Sequence, residues 1–158
     1  MPYTVEDEQR SQSEYSPGIV KDKEDLLRTV FNPEHMRDGE VIETAIPLED
    51  LKSRGFSVDR KQYAQKNILQ QRIEYQMGRL PEKRQSGLIV RLQCGAVRNL
   101  HDENGERAFI VIDTALKENI AHASICSATD RGRGALRKLR SLLLPYLQTR
   151  YSLEEIFS

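Results

Sequence analysis

The sequence predicts an α+β fold: a small, mostly antiparallel sheet around a central hairpin, packed by two longer helices. Three observations carry this expectation. Two β-branched apolar runs, Leu88–Val97 and Ala108–Ile112, flank Asp102-Glu103-Asn104-Gly105, and Asn-Gly tolerates the positive φ that a tight hairpin turn demands. The stretches 60–79 and 135–150 repeat apolar residues at helical spacing. A chain of 158 residues is one domain on the usual size prior and long enough for one core.

Along the first run Arg91, Gln93 and Gly95 alternate with Val90, Leu92 and Cys94, as in a strand with one wet face. The second run is apolar on both faces, which predicts the more central position. A third strand is expected at Ile120–Cys126, where Ile120, His122, Ser124 and Cys126 share one face. An imidazole, a hydroxyl and a thiol in a row could form a polar site at the sheet edge. The plainer use is hydrogen bonding to neighbouring loops.

In chain order, residues 1–20 are polar and acidic and read as a flexible arm, because they lack the apolar surface to offset ordering entropy. Residues 21–158 form the folded domain. Asp22 to Phe31 offers a short helix, with Leu26, Leu27, Val30 and Phe31 as one stripe and Asn32-Pro33 as its stop. Asp38-Gly39 marks a second tight turn, followed by a possible edge strand Val41–Pro47. Asp59 and Gln62 have capping-box spacing for the next helix, whose face is Leu69, Ile73, Met77 and Leu80. The last helix carries Leu136, Leu139, Leu143 and Leu147, with Pro145 set to kink or split it. Both long helices are expected on one face of the sheet.

Hydrophobic residues make up 38% and charged residues 30%, an apolar share below the globular norm that fits an unpacked arm. No run of about 18 apolar residues predicts a membrane span, and no basic start with an apolar core suggests a secretory signal. Two cysteines in apparent strands read as buried thiols of a cytoplasmic protein. The net charge of zero hides a division: residues 1–50 hold 13 acidic and 5 basic side chains, residues 51–158 hold 11 and 19. Such a split suggests an acidic segment lying on a basic body, or two surfaces for different partners.

The histidines and cysteines lack the spacing of a metal knuckle, so no metal and no cofactor is expected. Ser124 or Cys126 with His122 lacks the glycine-flanked elbow of many nucleophile sites. The candidate catalytic set is His35, Ser57, Arg60 and His122: Arg60 offers a planar fork for phosphate or carboxylate, and the histidines can move protons near neutral pH. Ser57 as a turn former and Arg60 as a surface cation is the plainer reading. Arg131 and Arg133, beside Gly132 and Gly134 at a helix start, are candidate ligand-binding residues. Their spacing matches neither a phosphate loop nor a dinucleotide fingerprint.

The segments NPEHMRDGEVIETAI, GFSVDR and KENIAHASIC, in this order, resemble small bacterial proteins of uncharacterised function, in which Pro-x-His, Ser-Val-x-Arg and Asn-x-x-His-Ala segments recur. The resemblance covers roughly Leu26 to Cys126, with Ile120 where proline is expected. It implies a bacterial single-domain protein, points to the same four candidates and carries no activity across. The acidic arm, the opposite-signed body and the low apolar share make a non-catalytic accessory protein of a larger bacterial assembly, with a protein partner, the leading expectation. The alternatives are a small enzyme or sensor for a phosphorylated or nucleotide ligand, and a nucleic-acid-binding module using the basic C-terminal half.

Overall fold

The structure, a computed structural model, describes residues 3–158. Met1 and Pro2 of the expected arm lie outside the described residues. The fold is α+β, as expected. Its strands are β1 (Asp25–Pro33), β2 (Met36–Arg37), β3 (Glu40–Val41), β4 (Phe56–Arg60), β5 (Arg84–Gln93), β6 (Phe109–Asp113), β7 (His122–Ser127) and β8 (Arg150–Tyr151). Its helices are α1 (Lys66–Arg79), α2 (Cys94–Arg98), α3 (Arg133–Leu143) and α4 (Leu153–Phe157). Six strands form an antiparallel sheet in the order β6-β7-β4-β1-β5-β8, and β2 and β3 pair by themselves around Asp38-Gly39.

The segment expected as the first helix is the strand β1, inside the sheet. Its apolar residues come in adjacent pairs, Leu26-Leu27 and Val30-Phe31, which also satisfies a helical stripe. In a strand, such pairs supply both faces at once. Leu26 and Val30 enter the larger core, with Phe56, Val90, Leu92, Leu136, Leu139 and Leu143. Leu27 and Phe31 enter a smaller one with Leu69, Ile73, Ile89 and Ile156. The two long helices therefore cover opposite faces, α3 one and α1 the other, rather than sharing one.

Both runs of the expected central hairpin contain strands, but the strands have different partners. β5 pairs with β1 over its length and briefly with β8, whereas β6 pairs with β7. The reason is α2: Cys94 and Gly95 donate backbone hydrogen bonds of 2.9 and 2.8 Å to Glu24 and Asp22. The chain turns helical where alternation alone predicts more strand. The Asn-Gly reversal is present as a small local turn, with Gly105 at φ +76° and Ala108 donating to Leu100.

β6 is an edge strand, not a central one. Its two-sided apolarity is explained by the N-terminal segment, since Tyr3 packs against the cluster of Ile110, Ile112, Cys126 and Ala128. The stretch expected as a flexible arm lies along this edge and is held by polar contacts that an apolar count does not register. The Glu8 carboxylate accepts from the Val111 amide at 2.8 Å and from Arg98 at 2.7 Å, and pairs with Arg107 at 2.6 Å. Ser13 donates to the Ala115 carbonyl at 2.6 Å, and Ser16 bonds to Asp113.

Helix α1 begins at Lys66 behind Gln65 rather than at Asp59, which belongs to β4. Pro145 splits the last helix into α3 and a 3-10 turn, Leu144–Leu147. Among the described residues, no helix is long and apolar enough to cross a membrane.

Candidate functional site

The sheet is incompletely closed at its centre. β1 and β4 pair only through Leu26 with Arg60 and Leu27 with Asp59, after which the two strands part. The gap opens into a cavity of about 820 Å³ between the sheet, α1 and the loop after β1. That size suits a small organic ligand. Leu27, Phe31 and Ile73 give it an apolar floor, while Arg28, Ser57, Asp59, Arg72, Arg84, His35 and His122 bring polar groups to its wall.

Three of the four candidate catalytic residues, His35, Ser57 and His122, line this cavity. Arg60 does not. In β4, Phe56, Val58 and Arg60 point to one face and Ser57 and Asp59 to the other, so Arg60 is turned away from the cavity. It is 1% exposed, donates to Glu24 twice at 2.7 Å and to the carbonyls of Gly18 and Ile19, and lies 3.8 Å from Asp113. It is an internal clamp, neither a surface cation nor a site residue.

His35 has both ring nitrogens engaged. Nδ1 lies 3.0 Å from the Phe31 amide, which can only donate, so Nδ1 carries no proton. Nε2 then donates to Glu34 at 3.1 Å, and Glu34 is in turn held by Arg84 at 2.9 Å. Burial pushes the His35 pKa down, with Arg28 and Arg84 adding to that and Glu34 opposing it. The ring is a neutral plug that satisfies a backbone donor on the side of β1 from which β4 has parted.

His122 is arranged differently. Its Nδ1 lies 2.9 Å from both the carbonyl oxygen and the hydroxyl oxygen of Thr114; the carbonyl can only accept, so the tautomer with the proton on Nδ1 is the one that satisfies it. Nε2 keeps its lone pair and faces the Ser57 hydroxyl at 3.1 Å. Thr114 Oγ1 bridges to Ser124 Oγ at 2.9 Å. Ser124 is therefore a buried support, and burial pushes the Cys126 thiol up to about 12, so it is inert.

The arginines of the cavity were absent from the sequence reading. Arg72 grips Asp59 at 2.6 Å, and Arg84 bonds to Glu34 and to Gln76. Arg28 has no carboxylate within ion-pair distance among the described residues. Its guanidinium donates to the Ser57 carbonyl at 2.8 Å and lies 4.1 Å from the Phe56 ring centre. Burial pulls its pKa down, while Asp50 and Asp59 support its charge from further off. Residues 28, 72 and 84 stand on three different elements, and only the tertiary fold brings them together.

Arg131 and Arg133 lie elsewhere. Arg131 pairs with Asp102 at 2.7 Å and donates to Ser127 and the Arg107 carbonyl, fastening the Asn-Gly turn to β7. Arg133 is exposed at the start of α3. Among the described residues, no three His, Cys, Asp or Glu side chains gather as a metal site would require. No family model, curated protein or solved structure matches the chain.

Proposed function

We propose that the chain binds a small organic ligand bearing a phosphate group in the cavity beside the β1–β4 gap. The observation that carries this reading is Arg28, a half-buried guanidinium on the cavity wall with no carboxylate partner among the described residues. Arg72, Lys83 and Arg84 add three positive charges, against Glu34 and Asp59 as the acids of the lining. An excess of cations around a partly apolar cleft favours an anion with an organic body. A planar guanidinium suits phosphate oxygens in particular.

The accessory-protein reading rested on the acidic arm, the opposite charge of the body and the low apolar share. Those charges find partners inside the fold: Glu8 with Arg98 and Arg107, Glu24 with Arg60, Asp25 with Arg91, and Glu34 with Arg84. The split therefore has an internal use, and the cavity takes precedence as the functional feature.

Isothermal titration with adenosine monophosphate and glycerol phosphate tests the proposal. Saturable binding is expected, weakening with salt and reduced about tenfold or more in Arg28→Ala, since a hydrogen bond to a charged group contributes about 1.5–3 kcal/mol. Arg133→Ala, outside the cavity, should bind as the parent does. Equal binding by Arg28→Ala and the parent, or none by either, would remove the reading.

A further inference from the structure

The cavity contains more than charge. We propose that Ser57 is a nucleophile with His122 as its general base, and that the cavity hydrolyses carboxylic esters whose acyl or alcohol part bears an anionic group. The anionic specificity rests on the binding mode proposed above; the nucleophile rests on separate geometry.

The hydrogen-bond chain runs in one direction. With the proton on His122 Nδ1, where the Thr114 carbonyl and hydroxyl oxygens both stand at 2.9 Å, the Nε2 lone pair faces the Ser57 hydroxyl 3.1 Å away. Nucleophile, base and orienting acceptor are the three parts an activated serine requires, and here a backbone carbonyl takes the orienting role. Thr114 is itself tied through its hydroxyl to Ser124, which is 3% exposed.

The local fold exposes this serine. Phe56 and Val58 on either side of it are buried, whereas Ser57 is open to the cavity. Ser57 stands opposite Ser124 and His122 opposite Asp59, so the two reactive side chains are diagonal neighbours across β4 and β7. Gly55 permits the approach. It has φ +87°, and a Cβ there would stand 2.8 Å from both Cβ and Oγ of Ser124. A side chain at position 55 would push β4 off β7 and separate the pair.

Arg28 supplies the complementary charge. One guanidinium nitrogen holds the Ser57 carbonyl, and the remaining N–H groups have no hydrogen-bond partner among the described residues. A cation so placed can stabilise the oxyanion of a tetrahedral intermediate or hold the anionic group of the substrate.

The reaction balances without a further reactant. Ser57 Oγ bonds to the ester carbonyl carbon while its proton passes to His122 Nε2. The carbon–oxygen bond to the alcohol breaks, and the alcohol leaves with that proton. Water then attacks the acyl-serine, giving one proton to His122, which returns it to Ser57 as the acid departs.

A fluorophosphonate probe tests the nucleophile directly. Attack by Ser57 would form a phosphorus–oxygen bond and break the phosphorus–fluorine bond, with fluoride leaving and the proton passing to His122. Intact-mass analysis should show one adduct, and peptide mapping should place it on Ser57. Ser57→Ala should take up none, and His122→Gln should react more slowly by about a hundredfold or more, within the usual range for a lost general base. Absence of an adduct on Ser57 in the unaltered chain overturns the inference whatever the variants do. So does an unchanged rate in a folded His122→Gln. The unaltered chain is titrated with adenosine monophosphate alongside, so an unlabelled serine with intact binding sinks the nucleophile alone. Labelling of Ser57 without any phosphate binding supports the nucleophile and removes only the binding mode.

Discussion

Arg60 and Glu24 meet through two hydrogen bonds of 2.7 Å, with their side chains 1% and 3% exposed, on the side of β4 turned away from the cavity. This pair joins the end of β4 to the start of β1 at the one place where those strands still pair. It therefore closes the sheet just where the cavity begins. Truncating one partner of such a pair strands the other charge without water. Arg60→Met should cost about 3–5 kcal/mol in urea unfolding. The double variant Arg60→Met with Glu24→Gln should lose less than the two single losses added together. Additive losses would mean that the two side chains act independently.

Glu8 does comparable work at the sheet's other end. Its carboxylate takes the Val111 amide and two arginines, so it stands in for the strand that β6 lacks on its outer side. Glu8→Ala should release Val111 to solvent and leave Arg98 and Arg107 without their shared acid. A loss of about 1.5–3 kcal/mol is expected for the charged hydrogen bonds. Hydrogen exchange at the Val111 amide should accelerate clearly more than at Ile125 in β7. Uniform acceleration across both strands would show that Glu8 does not act as a local edge clamp.

Arg60 also shows where the sequence was legible and where it was not. Phe56 and Val58 are apolar, Ser57 and Asp59 polar, and Arg60 falls in phase with the apolar pair. Strand alternation alone would have turned it away from Ser57. Turn chemistry was readable because it is local: Asp38-Gly39 and Asn104-Gly105 both reverse the chain as their residues predict. Pairing was not, since nothing within 94–98 announces that two backbone carbonyls far upstream will draw those residues into helix. The α+β class followed from strand and helix periods taken together, and it survives the exchange of a helix for β1. The expected meeting was of His35, Arg60 and His122; His35 and His122 do share the cavity, with Ser57, and Arg60 does not. The arginines that give the cavity its charge were not expected, because each looks like an ordinary surface cation in its own segment.

His35 makes stability depend on pH with a definite sign. Its pKa is pushed below the ordinary imidazole value chiefly by burial, whereas in the unfolded chain it returns to about 6.5. Between the two values the unfolded chain binds a proton that the native one does not. Protonation there favours unfolding. The stabilisation from a neutral His35 is thus complete above about pH 6.5 and is lost as pH falls through that value towards the folded pKa. Charging the ring also puts a proton on Nδ1, where it opposes the Phe31 amide 3.0 Å away. In His35→Asn the side-chain oxygen can take over that amide and nothing titrates. Urea unfolding from about pH 8 down to about pH 5 should show the unaltered chain losing more stability than His35→Asn, with the curves diverging below about pH 6.5. His101 and His122 are common to both proteins, so their contributions largely cancel in the difference. Parallel curves would mean that His35 titrates alike in the folded and unfolded chains, and the neutral plug in the wall of the cavity would have to be abandoned.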